Sequence, residues 1–146
     1  MPTPVLLVAE DNDLDALLLE RLFDRCGNVF RMMRVSNGEE AIDYLQGAGA
    51  FADRAKFPAA DLVLLDLKMP RVDGFGVLQW RYGNPAFTRV PVIVFSSSYL
   101  STDVNRAYAL GANSYVVKPN DPEKFERFVR SLGEWWAGFN VVGGQM

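Results

Sequence analysis

The chain has 146 residues, of which 49% are hydrophobic and 23% charged, the proportions of one globular domain rather than of a disordered or fibrous protein. A net charge of −3, without any Lys/Arg-rich run, argues against nucleic-acid binding. The sequence has no histidine, which excludes histidine metal sites, Ser-His-Asp or Cys-His catalysis and a phosphohistidine on this chain.

Short apolar strands alternate with amphipathic helices along the chain. Residues 5–9 form an apolar run of strand length, and leucines at helical spacing then continue to a stop at Gly27. Residues 29–35 predict a second strand, and a second helix begins at Asn37 and ends at Gly47. The pattern then repeats three times, with strands over 62–65, 91–95 and 114–117, and helices carrying Phe75 to Trp80, over 101–110 and over 121 to about 139.

These strands lack the polar alternation of a half-exposed sheet. Apolar strands that are each followed by a helix are typical of a parallel sheet covered on both faces. We therefore predict an α/β fold, a (βα)₅ doubly wound domain with a five-stranded parallel sheet of the flavodoxin-like kind. Residues 1–146 are expected to form one domain with a core over about 4–132 and a C-terminal helical extension over 133–146, and residues 47–60 are read as one long connection.

Reactive side chains follow four of the predicted strands. Ligands of open parallel sheets bind at the carboxyl ends of the strands, where these side chains are expected to meet. Each residue alone has a structural explanation such as helix capping, but all of them lie at carboxyl ends, which favours a functional site. The residues are Glu10 and Asp11 after the first strand, Asp66 after the third, Ser96 and Ser97 after the fourth, and Lys118 after the fifth.

The predicted site combines negative charge with a cation and a hydroxyl. Three neighbouring carboxylates repel one another unless a hard cation binds them, and oxygen ligands suit Mg²⁺. The Ser96 hydroxyl and the Lys118 ammonium would supply a donor and a positive charge for a phosphoryl group on one carboxylate. A dehalogenase-type phosphatase would need an acid at position 68, which is Lys, and a P-loop motif is missing from the sequence.

These motifs resemble the receiver domains of two-component response regulators, over about residues 4–132. The resemblance rests on four segments: the strand ending in Glu10-Asp11, residues 64–74 around Asp66, residues 91–97 ending in Ser96-Ser97, and residues 111–119 ending in Lys118-Pro119. Many receiver domains have Asp at the position of Glu10, and Thr is commoner at the position of Ser96; both residues of this chain are usual variants in the family.

The resemblance implies a stand-alone response regulator that takes a phosphoryl group from a partner histidine kinase and signals by protein contact. Such a protein catalyses only its own phosphorylation and slow dephosphorylation, and the alternative is a degenerate receiver that acts solely as an interaction module. By resemblance, Asp66 is the phosphoacceptor, and Lys118 pairs with its phosphoryl group while backbone groups of Lys68 and Ser97 bind the phosphate. The resemblance further implies that Mg²⁺ is held by Glu10, Asp11, Asp66 and the backbone carbonyl of Lys68. It also implies that Ser96 and Tyr115 form the switch and that Lys118-Pro119 is a cis peptide.

A narrower resemblance links the chain to the single-domain response regulators of bacterial and cyanobacterial phytochrome kinases. It rests on residues 47–60, 84–91 and 132–136, and implies a phytochrome-type sensor kinase as partner. With one cysteine, no signal peptide and no apolar run long enough for a bilayer, a cytoplasmic location without membrane or nucleic-acid partners is expected.

The last predicted helix carries large apolar side chains beyond the expected end of the sheet. Trp135, Trp136 and Phe139 are interpreted as an interface, and a homodimer through the fourth helix, fifth strand and fifth helix is the hypothesis. Packing of these side chains back onto the domain is an equally weighted alternative.

Overall fold

A computed structural model describes residues 2–143 of the chain. Within these residues, parallel strands and α-helices alternate in the predicted order. The elements are β1 (Val5–Ala9), α1 (Asp13–Arg25), β2 (Arg31–Val35), α2 (Gly38–Gln46), β3 (Leu62–Leu65), α3 (Gly74–Tyr82), β4 (Val92–Ser96), α4 (Ser101–Ala109), β5 (Ser114–Val117) and α5 (Pro122–Gly138).

The sheet has the strand order β2-β1-β3-β4-β5, with every neighbouring pair parallel. The order reverses between β1 and β3, which lie side by side with Ala9 opposite Leu65. The predicted doubly wound fold is confirmed, and the ends of β1 and β3 form the switch point at which such sheets bind ligands.

The core has two layers, one on each face of the sheet. Successive residues of a strand point to opposite faces, so Leu7 packs under α2, α3 and α4, whereas Leu6 packs under α1 and α5. Both side chains are fully buried, as the absence of polar alternation predicts.

Side-chain caps begin several helices where the sequence places Asn or Asp. The Asn12 side chain accepts a hydrogen bond from the Asp15 N–H at 3.0 Å, and Asn37 and Asp73 cap α2 and α3 in the same way. At Gly74, a Cβ would lie 2.3 Å from the backbone oxygen of Asp66, so only glycine lets α3 approach the end of β3 so closely.

The long connection after α2 contains local structure that the sequence did not predict. The segment 47–60 contains a 3₁₀ turn at Gly49–Phe51, and its Phe51 and Phe57 pack against Tyr44, whose hydroxyl donates to the Pro58 carbonyl at 2.7 Å. Residues 133–138 form the last part of α5, as the predicted helix over 121 to about 139 requires. None of the helices within residues 2–143 combines the length and apolar character needed to cross a membrane.

Candidate functional site

Three carboxylates converge at the switch point of the sheet. Glu10 and Asp11 follow β1 and Asp66 follows β3, and oxygens of the three groups lie within 4.8 Å of one another. The Asp66 N–H donates to the Ala9 carbonyl at 3.0 Å, which continues the β1–β3 pairing into the site. Glu10 and Asp66 are buried whereas Asp11 is exposed, so the cluster is open on one side. All three donors are hard oxygens, which fit a divalent cation such as Mg²⁺.

Lys118 reaches this cluster from the end of β5. Its ammonium lies 2.6 Å from Glu10 Oε1 and 3.3 Å from Asp66 Oδ2. The Lys118 N–H donates to the Ser96 carbonyl at 2.8 Å, which fixes the backbone beside β4. Lys118 Nζ also lies 5.9 Å from the centroid of the Phe95 ring, and the side chain as a whole is only 12% exposed.

Burial and charge act against each other at Glu10 and Lys118. Burial raises the pKa of Glu10 to about 7; the Lys118 hydrogen bond opposes this shift, and the neighbouring Asp66 adds to it. Burial alone would lower the pKa of Lys118, but the carboxylates of Glu10, Asp66 and Asp15 raise it above its ordinary value. Lys118 is therefore a permanent cation, and Glu10 exchanges a proton near neutral pH.

Ser96 and Tyr115 meet through a third residue that the sequence analysis did not single out. The Ser98 N–H donates to the buried Ser96 Oγ at 3.1 Å, and the Tyr115 hydroxyl donates to the Ser98 carbonyl at 2.8 Å. The Ser98 hydroxyl in turn donates to Asp103 Oδ2 at 2.6 Å in the first turn of α4. Ser98 therefore connects Ser96 at the end of β4 to Tyr115 in β5 and to Asp103 in α4.

The roles assigned to the backbone groups of Lys68 and Ser97 remain predictions, and the predicted cis peptide bond is wrong. The Lys68 N–H lies 3.5 Å from Asp66 Oδ1, while the roles of the Lys68 carbonyl and of the exposed Ser97 rest on the resemblance. The Lys118-Pro119 peptide bond is trans, not cis. Trans is the lower-energy isomer, and with it the Lys118 side chain already reaches Glu10 and Asp66.

Two further residues at the site escaped the sequence analysis. Asp15 lies in the first turn of α1, with Oδ2 3.0 Å from Lys118 Nζ. Arg34 pairs with Val8 in the sheet register, and its Nε and Nη2 donate to the Glu10 carbonyl at 3.0 and 2.7 Å. The sequence held a signal for Asp15, because a helix that begins at Asp13 places Asp15 in its first turn, next to the carboxyl end of β1. It held no such signal for Arg34, whose contact with Glu10 depends on the register in which β2 pairs with β1.

The proposed interface residues on α5 separate into two groups. Trp136 is only 7% exposed and packs against Phe30, with ring centroids 5.6 Å apart, so its assignment to an interface is wrong. It lies four residues after the buried Leu132 and continues the face that packs against α1 and the sheet. Trp135 and Phe139 are 45% and 81% exposed, and for them the interface stays a prediction.

A doubly wound sheet with converging carboxylates and a facing lysine at its switch point is the arrangement that the resemblance to receiver domains implies. Residues 6–130 match the response regulator receiver domain model, and the chain belongs to this family.

Known relatives of similar length support this assignment. The probable methanogenesis regulatory protein FilR2 of Methanothrix harundinacea is 36% identical over 143 residues, which cover 96% of this chain and 88% of FilR2. The response regulator Rcp1 of Synechocystis sp. is 29% identical over 135 residues, covering 92% of this chain and 90% of Rcp1. The phosphorylated cyanobacterial phytochrome response regulator RcpA has a TM-score of 0.89 at 28% identity, covering 98% of this chain and all of RcpA. The resemblance to single-domain phytochrome response regulators is confirmed.

Proposed function

We propose that the chain is a response regulator in which Asp66 accepts a phosphoryl group from a phosphohistidine on a partner kinase. The observation that carries the proposal is the position of the Asp66 carboxylate at the end of β3, beside Glu10 and Asp11 and 3.3 Å from the Lys118 ammonium. An intact set of acids with its lysine disfavours the alternative of a degenerate interaction module.

The chemistry is a transfer between two side chains. An Asp66 oxygen attacks phosphorus, the P–N bond of the phosphohistidine breaks, and the histidine nitrogen keeps the electron pair. Water later attacks phosphorus in the acyl phosphate and the P–O bond breaks, which regenerates the Asp66 carboxylate. Lys118 stabilises the negative charge on the transferring oxygens, because it is a buried permanent cation beside Asp66.

The metal assignment follows from the donor set. Glu10, Asp11 and Asp66, with the Lys68 carbonyl, would hold Mg²⁺, which supplies further neutralisation of the phosphoryl oxygens. A Mn²⁺-bound structure of the relative Rcp1, with a TM-score of 0.86 at 27% identity over 97% of this chain and 99% of that chain, supports a divalent cation in this fold.

The switch follows from the hydrogen bonds around Ser98. A phosphoryl group on Asp66 offers strong acceptors to the Ser96 hydroxyl, whose movement would withdraw the acceptor of the Ser98 N–H. Because Ser98 also contacts Tyr115 and Asp103, phosphorylation would change the packing of β5 and α4. Protein contacts at this face would read the change.

The proposed partners are a sensor histidine kinase and a second copy of the chain. The similarity to Rcp1 and RcpA supports a phytochrome-type kinase. A cytoplasmic location is part of the proposal, because a sensor kinase takes its phosphoryl group from ATP. The homodimer would form through α4, β5 and α5, where Tyr108, Val117, Trp135 and Phe139 are exposed apolar side chains.

Phosphotransfer from histidine kinases of the source organism tests the function. Each kinase is autophosphorylated with radiolabelled ATP and mixed with the wild type, Asp66→Asn or Asp24→Asn, the last an exposed acid on α1 as a control. Label is expected on the wild type and on Asp24→Asn but not on Asp66→Asn. Equal labelling of Asp66→Asn, or no transfer from any kinase, would contradict the proposal.

A further inference from the structure

We propose that Asp15 is a positioning residue that holds the Lys118 ammonium beside the Asp66 carboxylate. The inference rests on Asp66 as the phosphoacceptor and assigns a role to a carboxylate outside the converging acids Glu10, Asp11 and Asp66.

Three carboxylates share the ammonium of Lys118. Its Nζ lies 2.6 Å from Glu10 Oε1, 3.0 Å from Asp15 Oδ2 and 3.3 Å from Asp66 Oδ2. The contacts to Asp15 and Asp66 are hydrogen bonds and the close approach to Glu10 is an ion pair, so three carboxylates surround one ammonium. The Lys118 side chain is 12% exposed, and water therefore has little access to replace a missing partner.

Asp15 is the partner whose negative charge stays with Lys118 during phosphoryl transfer. Glu10 and Asp66 belong to the set of oxygens suited to a cation, and Asp66 itself becomes the acyl phosphate. Two of the three contacts thus change in the reaction, while the contact to Asp15 persists. A lysine has four flexible bonds, and one persistent charged contact restricts the positions its ammonium occupies.

The scaffold fixes Asp15 independently of Lys118. Its backbone N–H donates to Asn12 Oδ1 at 3.0 Å in the N-terminal cap of α1. The helix therefore presents the carboxylate from its capped first turn, and the lysine comes from the residue that follows β5. The contact links α1 to the end of β5.

The test compares rates of Asp66 phosphorylation by acetyl phosphate at saturating Mg²⁺, followed by intact-mass spectrometry. Asp15→Ala is expected to slow labelling by about five- to tenfold, as loss of one charge-assisted contact implies, and Asp15→Asn by less because it keeps an acceptor oxygen. Asp24→Asn is the matched control, since Asp24 is an exposed carboxylate further along the same helix.

A double-mutant cycle shows whether Asp15 acts through the lysine. In a Lys118→Ala background, the further change Asp15→Ala is expected to have no effect on the residual rate. In the metal-free protein, the Lys118 ammonium resonance is expected to be sharp in the wild type and in Asp24→Asn, and broadened by exchange with water in Asp15→Ala.

Three results would overturn the inference while leaving the proposed function intact. They are a labelling rate for Asp15→Ala within twofold of the wild type, an equal slowing by Asp15→Ala with and without Lys118, and an unchanged ammonium resonance. A wild type that takes up no phosphate would instead overturn the proposed function and this inference with it.

Discussion

Glu10 has an unusual environment for a carboxylate that is expected to bind a cation. It is only 1% exposed, its carbonyl accepts two hydrogen bonds from Arg34, and its carboxylate lies against Lys118. Burial raises its pKa to about 7, so near neutral pH it exists in both protonation states. A cation at the site requires the ionised form, and protons and metal therefore compete for one side chain.

This competition predicts a pH-dependent metal affinity. The site binds Mg²⁺ only with Glu10 deprotonated, so with a pKa of about 7 the apparent affinity is expected to be about tenfold lower at pH 6 than at pH 8. Calorimetric titration with Mg²⁺ at the two pH values measures the effect. Glu10→Gln is expected to bind Mg²⁺ more weakly and with little pH dependence, and Asp11→Asn more weakly with the pH dependence retained. An affinity that is unchanged in Glu10→Gln/Asp11→Asn would contradict the metal site, and a pH-independent affinity of the wild type would contradict the competition between protons and metal at Glu10.

Arg81 is a buried residue of α3 that stabilises the fold through the hydrogen bonds of its guanidinium. It is buried, and its guanidinium donates to the carbonyls of Thr88, Val90 and Gly111 and to Asn113 Oδ1. Burial lowers the pKa of the guanidinium from its usual value, but the group remains charged because an arginine begins so high.

Removal of this guanidinium is expected to be strongly destabilising. Arg81→Met would leave several buried carbonyls without donors and lower the free energy of unfolding by about 3–5 kcal/mol. Arg89→Met, at an exposed arginine nearby, is the control and is expected to change it by about 0.5 kcal/mol or less. Urea denaturation measures both, and equal stabilities of the two variants would refute the structural role of Arg81.

Helix α5 has a buried face and exposed apolar side chains, whereas the sequence pattern suggested a single apolar stripe. Its buried face carries Val129, Leu132 and Trp136 against the sheet and α1, while Trp135 and Phe139 face outward. A spacing of three and four residues identifies an apolar stripe but does not locate its edge, because the two tryptophans differ by only 100° around the helix.

Substitutions at the two tryptophans are expected to change different properties, the folding stability for Trp136 and the association of chains for Trp135. Trp136→Ala creates a cavity beside Phe30 and is expected to lower the free energy of unfolding by about 3–5 kcal/mol. Trp135→Ala/Phe139→Ala is expected to leave the monomer folded and to convert a dimer into monomers, as sedimentation velocity would show. A wild type that stays monomeric at high concentration, with and without a phosphodonor, would reject the dimer.

The sequence predicted elements well where one local signal decided them. Uninterrupted apolar runs identified β1 and β3 to the residue, and Asn37 identified the start of α2 through its cap. Contacts between distant segments were beyond such signals. Arg34 reaches Glu10 because β2 and β1 pair in a certain register, and Asp15 reaches Lys118 because α1 and β5 flank the same site.

For the whole molecule, the strand order explains why distant residues act together. The order β2-β1-β3-β4-β5 places the ends of β1 and β3 side by side, with β4 and β5 completing the rim on one side. The acids therefore come from the centre of the sheet, and Ser96 and Lys118 come from the neighbouring strands that border α4. Phosphorylation at the centre would thus be communicated to the α4–β5 face by a short series of hydrogen bonds through Ser98.

Intact-mass spectrometry after incubation with acetyl phosphate and Mg²⁺ tests the central claim most directly. The wild type is expected to gain the mass of one phosphoryl group, which hydroxylamine removes because the bond is an acyl phosphate. Asp66→Asn is expected to gain none, while Asp24→Asn, which changes an exposed acid on α1, behaves like the wild type. Equal uptake of phosphate by Asp66→Asn, or a hydroxylamine-resistant adduct on the wild type, would contradict Asp66 as the phosphoacceptor.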